Sequence, residues 1–142
     1  MGRKDNIETF EDTQWLYKTN RRLMEAVAKS SRGQQVIHSR LQYIGFADRT
    51  YAHPAKIVVS PKHTLEAAAP YAYAGKKVCI LNFASATNPG GGVTRGSSAQ
   101  EEAICRCSTL FPNLNEQETW NIFYEPHRRQ HDPLHNDDCI YT

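Results

Sequence analysis

The chain lacks any long hydrophobic run. No apolar stretch approaches the roughly 20 residues that a membrane-spanning helix needs. The first five residues, MGRKD, are followed by further polar residues rather than by the hydrophobic core of a signal peptide. We therefore expect no membrane partner and a cytoplasmic location.

An excess of charge of one sign is also missing. Seventeen basic and 15 acidic residues give a formal net charge of +2, so no overall field would attract nucleic acid. The arginine pairs at 21–22 and 128–129 are typical of solvated surface. We expect no direct nucleic-acid binding.

The cysteines do not form a Cys-x-x-Cys pair, and we interpret them as reduced thiols: Cys79, Cys105, Cys107 and Cys139. Cys105 and Cys107 are too close together for a good zinc pair on one helix, and burial of their thiols explains them better. His127, His131 and His135 recur every four residues, which on a helix would favour a metal-binding face. Prolines within this stretch argue against a continuous helix, so we predict polar loop histidines, no metal and no cofactor.

The size and composition are those of one folded domain, residues 1–142, with 39% hydrophobic residues and a mean hydropathy of −0.64. Residues 1–55 are predicted to be a mainly helical lead-in. Apolar residues at near-helical spacing predict a helix from Thr13 to Ser30, with Gly33 as its stop signal. Residues 36–38 and the stretch from Leu41 to Phe46 are compatible with either helix or strand.

Residues 56–142 are predicted to contain strands, a glycine loop and a catalytic helix. Residues 56–60 and 77–83 are apolar runs typical of strands, and residues 64–69 between them have the composition of a helix. A strand, a helix and a strand in about 28 residues predict a βαβ unit with parallel strands. Ligands bind at the carboxyl ends of such strands.

A glycine-rich run begins where the second predicted strand ends. Asn88 and Pro89 precede Gly90, Gly91 and Gly92, and Gln100-Glu101-Glu102 follows after a spacer of residues 93–99. Glycine permits positive φ and a close approach of backbone to ligand, and such loops commonly hold phosphate or ribose. Asn88 fits either a ribose contact or an ordinary turn.

The glutamates lie at the predicted start of a helix, capped by Ser97 or Ser98 and running to about Leu110, where Pro112 ends it. Capping and the helix dipole alone would explain acidic residues there, but the adjacent glycine loop favours chemistry. Neighbouring helical residues point about 100° apart, which predicts different roles for the two carboxylates. Like charges this close, if partly buried, should raise the pKa of one of them toward a value suited to a general acid.

Residues 120–124 fit strand or helix, and 125–136 is predicted to be loop.

The triple glycine, the spacer and Gln-Glu-Glu together resemble the signature of microbial-type poly(ADP-ribose) glycohydrolases. The flanking residues 78–81 and 103–108 agree with this family, and a weaker resemblance reaches residues 64–68 and 137–141. The resemblance implies an α/β, macrodomain-like fold in which a mixed sheet is flanked by helices. It also implies hydrolysis of the ribose–ribose bond of poly(ADP-ribose) or of an ADP-ribosylated protein, with ADP-ribose as the product.

The resemblance also implies residue roles. Glu102 is the general acid that protonates the leaving ribose oxygen and later activates water, and Glu101 binds a ribose hydroxyl. The ligand-binding residues are expected to be Gly90, Gly91, Gly92, Asn88, Phe83 and Gln100, with Gln100 supporting the loop rather than reacting.

One departure leaves alternatives open. The family carries a second glycine-rich loop that grips the diphosphate, whereas the only glycine after Gly92 in this chain is Gly96. The chain is therefore expected to be the first part of a longer catalytic domain or a naturally short relative. A non-catalytic ADP-ribose-binding module, an inactive fragment and a piece that assembles with another chain remain alternative hypotheses.

Overall fold

The computed structural model describes residues 2–39, 52–131 and 134–142. The described residues are mostly helical, with one small antiparallel sheet. The elements in chain order are α1 Arg3–Thr19, α2 Arg21–Gly33, β1 Gln35–Ile37, α3 Thr64–Tyr73, a 3₁₀ turn Val93–Arg95, α4 Gln100–Arg106, α5 Leu110–Leu114, α6 Gln117–Thr119, a π-helix Trp120–Tyr124, α7 Glu125–Gln130 and β2 Cys139–Tyr141. The expected α/β class is present in this coarse form.

Two helices occupy the region where a single helix from Thr13 to Ser30 was predicted. Asn20 separates them with an extended backbone (φ −92°, ψ 114°), and its side-chain oxygen accepts a hydrogen bond from the Leu23 N–H at 3.2 Å. Asparagine is a favoured N-cap residue because its short side chain satisfies a free helical N–H. The apolar residues keep a near-helical spacing on both sides of Asn20 and do not indicate the break, so the single-helix prediction was wrong.

Of the predicted βαβ unit, only the helix forms. α3 forms, with the His63 N–H donating to the Glu66 carboxylate at 3.2 Å. Residues 56–60 and 77–83 adopt no strand pairing, and side chains such as Val59, 94% exposed, face solvent. A strand needs a neighbouring strand to pair with its N–H and C=O groups, and the described residues place none beside these two segments.

The observed sheet pairs β1 with β2 in antiparallel register, with Val36 opposite Ile140. It therefore joins residues far apart in sequence rather than the two apolar runs. The strand option for residues 36–37 is correct. The region from Leu41 to Phe46 lies outside the described residues.

The hydrophobic core lies directly beneath the glycine loop. Phe10 of α1, Val93 of the 3₁₀ turn, Cys105 of α4 and Leu114 of α5 form it. The Phe10 and Phe111 rings meet edge to face with centroids 4.9 Å apart. This arrangement stabilises the pair beyond the effect of burying the two rings. The core thus fixes α1, the loop and α4 against one another.

The helix after the glycine loop differs from its prediction at both ends. It starts after Ala99, which makes no side-chain cap, and it ends at Arg106, so Ser97 and Ser98 do not cap it. Pro112 lies inside the separate helix α5. Residues 120–124 are a π-helix.

Part of the stretch predicted as loop, residues 125–136, is instead helix α7. Pro126 is its second residue and lies where the π-helix Trp120–Tyr124 continues into α7. Within the described residues, no helix is both long and apolar enough to cross a membrane.

Candidate active site

The glycine loop turns tightly over the start of α4. Gly90 and Gly91 have φ of +65° and +59°, the left-handed region that side chains disfavour. A Cβ atom at Gly91 would lie 2.6 Å from Glu102 Oε1 and 3.1 Å from Glu101 Oε2. A Cβ atom at Gly92 would collide with the Ser97 side chain. The backbone therefore approaches both carboxylates more closely than any other residue type would permit.

Both glutamates are buried, and each is held by one oxygen. Glu101, 3% exposed, accepts a hydrogen bond through Oε2 from the Ser85 N–H at 2.8 Å. Glu102, 7% exposed, accepts one through Oε1 from the Gly92 N–H at 2.8 Å. The structure thus brings together the predicted acidic pair and the predicted loop.

The second oxygen of each carboxylate, Glu101 Oε1 or Glu102 Oε2, is buried and accepts no hydrogen bond from the part of the chain that the structure describes. Buried carboxylate oxygens are almost always satisfied, because leaving one unpaired costs free energy. Such orphan atoms beside a glycine loop are the arrangement expected of a site that bonds to a ligand.

The pKa of Glu101 is raised, chiefly by burial and further by the negative charge of Glu102. The hydrogen bond from Ser85 lowers this pKa in part, as do smaller contributions from the Gly90 backbone and the Asn82 side chain. A raised pKa for one member of the pair was predicted. It falls on Glu101, to which the resemblance assigns the orienting role.

Gln100 ties the apolar segment 81–83 to α4. Its Oε1 accepts from the Phe83 N–H at 2.8 Å, and its Nε2 donates to the Leu81 carbonyl at 3.0 Å. The same Nε2 donates to Thr64 Oγ1 at the start of α3 at 3.1 Å. This geometry favours the supporting role for Gln100 over direct ligand contact.

Phe83 and Asn88 stand at the two ends of the segment that leads into the loop. The Phe83 ring is 75% exposed, so it borders open space rather than the core. The Asn88 N–H donates to Ser85 Oγ at 3.1 Å, and its carbonyl accepts from the Gly91 N–H at 2.9 Å. The backbone of Asn88 is therefore part of the turn, and its side-chain amide lies beside the glycine loop.

Helix α1 braces the far side of the spacer. Asn6, which is buried, donates through Nδ2 to the Gly96 carbonyl at 3.0 Å. Arg106 of α4 donates to the Ser97 carbonyl, and Thr13 Oγ1 donates to the Arg106 carbonyl at 2.5 Å. The lead-in helix thus positions the loop as well as covering the core.

Sequence reasoning did not reveal the contacts that Ser85 and Arg128 make. Ser85 supplies the N–H that holds Glu101, and Arg128 of α7 donates to the Thr87 carbonyl and to Asn88 Oδ1. Ser85 lies at the end of the predicted strand, a position that indicates a residue of the pocket wall but does not reveal the bond to Glu101. No local signal marks Arg128, because its partners lie about 40 residues earlier in the chain.

The histidines do not form a metal face. His127 is buried, and both of its ring nitrogens are hydrogen-bonded, Nδ1 to the Phe123 carbonyl at 2.6 Å and Nε2 to Asn136 Oδ1 at 2.8 Å. It is a structural residue of α7, so the prediction of a polar loop histidine was wrong for His127. No group of three potential metal-binding side chains is found among the described residues.

The cysteines differ from the sequence expectation in one respect. Cys105 is buried, and desolvation, with the nearby Glu101 and Glu102 charges, raises its pKa to about 12. Cys107, expected to be buried, is exposed just after α4. All four thiols are free.

The comparisons with known proteins agree on one family. The family model for the microbial-type PARG catalytic domain matches residues 4–142, where PARG denotes poly(ADP-ribose) glycohydrolase. No curated protein matches the chain at a significant level.

Solved structures from one organism are similar to the chain. The crystal structure of poly(ADP-ribose) glycohydrolase from Thermomonospora curvata superposes with a TM-score of 0.83 and 32% identity, covering 98% of this chain and 54% of that one. The same protein bound to the inhibitor ADP-HPD gives a TM-score of 0.77 and 28% identity, covering 98% and 53%. The chain thus spans about half the length of the solved relatives that it matches.

Proposed function

Because the chain belongs to the family of microbial-type PARG catalytic domains, we propose that it hydrolyses the ribose–ribose glycosidic bond of poly(ADP-ribose) and releases ADP-ribose. The substrate is the polymer or an ADP-ribosylated protein. The described residues form part of a macrodomain-like fold, and the glycine loop with α4 is the catalytic part.

One observation carries this proposal: two buried carboxylates face the glycine loop. Each has one oxygen fixed by a backbone N–H and one that no described residue bonds to. The fixed oxygen sets the orientation of the carboxyl group. The orphan oxygen is then free to meet a hydroxyl or a glycosidic oxygen. A carboxylate that only capped a helix would need no buried, unpartnered oxygen.

The reaction divides between the two glutamates. Protonated Glu102 gives its proton to the departing ribose oxygen as the bond from that oxygen to the anomeric carbon breaks. The resulting cation-like sugar is attacked by water, which returns a proton to Glu102. Glu101 accepts a hydrogen bond from a ribose hydroxyl and holds the sugar in place, and its negative charge stabilises the positive charge that develops.

The raised pKa of Glu101 bears on the charge of the site. Burial, and after it the negative charge of Glu102, raise this pKa. Glu101 therefore retains its proton to a higher pH than an exposed carboxyl would. A polar ligand that bonds to its second oxygen would favour the charged form that the orienting role uses.

The loop supplies the binding contacts. Gly90, Gly91 and Gly92 lie against the ribose next to the scissile bond, and their close approach needs residues without side chains. Asn88 bonds to a ribose hydroxyl, and the exposed Phe83 ring borders the pocket. Gln100 supports the segment that carries Phe83.

The test is release of ADP-ribose from poly(ADP-ribose) by the chain and by Glu102→Gln, which keeps the shape and removes the acid. Glu118→Gln is a matched control, since Glu118 is exposed on α6. We expect release by the wild-type chain and by Glu118→Gln, and a loss of at least about a hundredfold for Glu102→Gln.

Binding of ADP-ribose, measured by calorimetry, separates the alternatives. Binding without release by the wild-type chain would make it a non-catalytic ADP-ribose-binding module and contradict the proposed hydrolysis. Neither binding nor release would indicate an inactive piece. Equal release by wild type and Glu102→Gln would overturn the assignment of the acid.

A further inference from the structure

Arg128 is an exposed residue of α7 whose side chain reaches across to the glycine loop. Its Nε donates to the Thr87 carbonyl at 2.7 Å, and its Nη2 donates to Asn88 Oδ1 at 2.5 Å. One planar guanidinium thus makes two hydrogen bonds to consecutive loop residues. Two bonds from one rigid group fix orientation far better than a single bond from a flexible chain.

The Trp120 ring also holds the guanidinium of Arg128 in place. The Arg128 Cζ lies 4.7 Å from the centroid of the Trp120 ring, within the range of a cation–π interaction. Trp120 starts the π-helix and packs beside Tyr124, which is buried, with ring centroids 5.9 Å apart. The exposed arginine is therefore anchored by a supported aromatic ring.

The donor-only chemistry of arginine has a consequence for Asn88. Because a guanidinium cannot accept a hydrogen bond, the Asn88 amide must turn its oxygen toward Arg128 and its nitrogen away. One Nδ2–H then bonds to Thr87 Oγ1 at 3.1 Å. The other Nδ2–H has no acceptor among the described residues.

We propose that Arg128 is a positioning residue that fixes the Asn88 side-chain amide so that it offers an N–H to a ribose oxygen of ADP-ribose. This inference rests on the proposed function, because it assumes that Asn88 contacts the sugar. It assigns a defined direction to that contact: Asn88 donates and the ribose oxygen accepts. Arg128 acts through Asn88 and does not touch the reacting atoms.

The neighbouring Arg129 is a matched control. It lies on the same helix and carries the same charge, but it bonds to Glu125 at 2.6 Å, one turn earlier. Arg129→Ala removes a positive charge next to Arg128 without removing a contact to the loop. Any effect of Arg128→Ala that comes only from the charge of α7 should appear in both variants.

The first readout needs no ligand. In the ¹⁵N-labelled chain, the side-chain NH₂ resonances of Asn88 are identified by their absence in Asn88→Ala. We expect Arg128→Ala to shift or broaden these resonances, because the amide is then free to rotate, and Arg129→Ala to leave them unchanged. Unchanged resonances in Arg128→Ala would overturn the proposed contact.

The second readout is the dissociation constant of ADP-ribose, in a double-mutant cycle with Asn88→Ala. We expect Arg128→Ala to weaken binding about tenfold, the scale of one oriented hydrogen bond, and Arg129→Ala to change it less than twofold. In the Asn88→Ala background, Arg128→Ala should add less than about twofold, since coupled residues are not additive.

Equal losses for the two arginine variants, or additive losses for Arg128→Ala and Asn88→Ala, would overturn the positioning role. If the wild-type chain binds no ADP-ribose, the proposed function fails, and the direction assigned to the ribose contact fails with it. The resonances of Asn88 then decide alone whether Arg128 orients the amide. The two failures are therefore distinguishable.

Discussion

Glu101 shows how a single residue can serve a site at the expense of stability. Its carboxyl is almost fully buried, and one of its oxygens has no partner among residues 2–39, 52–131 and 134–142. Its pKa is raised above the ordinary 4.5, first by burial and then by the charge of Glu102. A folded-state pKa above the unfolded value means that the folded protein binds this proton more tightly. The resulting stabilisation is present below about pH 4.5 and is lost as the pH rises through the raised pKa. At neutral pH the charged Glu101 should therefore oppose folding.

Replacing Glu101 by Gln removes that charge and keeps the acceptor for the Ser85 N–H. We expect Glu101→Gln to raise the free energy of unfolding at pH 7 by about 1 kcal/mol, a common gain when a strained functional group is removed. The gain should shrink as the pH falls toward 4.5. Urea denaturation at both pH values measures it, with the exposed Glu118→Gln as control. A gain that stays constant with pH would contradict the titration of Glu101 as its cause.

The residues of the site were predictable to the extent that their roles are local. The three glycines and the two glutamates are close in sequence, and the residue types alone indicate close backbone approach and acid–base chemistry. The support of Glu101 by Ser85 and of Asn88 by Arg128 depends on tertiary packing. No spacing rule connects residues 16 or 40 positions apart, so these partners could not be read from the sequence.

At the scale of elements, the glycine loop and α4 behave as one unit because their backbones and carboxylates interlock. Gly91 and Gly75 provide a matched pair: both have positive φ, +59° and +71°, but only Gly91 is crowded. A Cβ atom at Gly75 would meet nothing within 4 Å, whereas at Gly91 it would overlap Glu102 Oε1. Substitution at both positions therefore separates two effects: the cost of a left-handed backbone, which both share, and the displacement of the carboxylates, which only Gly91 would cause.

We expect Gly75→Ala and Gly91→Ala each to lose about 1 kcal/mol of stability from the left-handed backbone. Only Gly91→Ala should also lose ADP-ribose release, by about a hundredfold, because a displacement of roughly 1 Å at a carboxylate is enough to cost that much. Thermal denaturation and the release assay measure the two effects. Equal activities would indicate that the loop is an ordinary turn.

The elements were predictable where a local signal decides them. The helix of α3 follows from its composition. The break at Asn20 and the start of α4 at Gln100 were mispredicted, because capping by one side chain and packing beneath the loop outweigh apolar periodicity. The strand predictions for 56–60 and 77–83 were wrong, because β-branched composition favours a strand only where a neighbouring strand is present to pair with it.

At the scale of the whole molecule, apolar surface is left uncovered along those two segments. Ile57, Val59, Leu81 and Phe83 are all exposed, and a groove of about 840 Å³ beside residues 78–82 is lined by further apolar side chains, among them Ile104, Leu114 and Ile140. Glu101, Glu102 and the glycine loop do not line this groove. Exposed apolar side chains on segments that have no neighbouring strand are characteristic of a surface that associates.

We therefore expect the 142-residue chain to associate with itself at micromolar concentration when no other polypeptide covers these segments. Light scattering after size exclusion should give a mass above the monomer mass of 16.1 kDa. Val59→Lys should shift the observed mass back toward that of the monomer, because a lysine on an exposed strand edge opposes the addition of another strand. Tyr73→Lys, at a side chain 92% exposed on α3, is the matched control and should leave association unchanged. A wild-type chain that stays monomeric, or equal effects of the two lysines, would show that segments 56–60 and 77–83 do not act as strand edges.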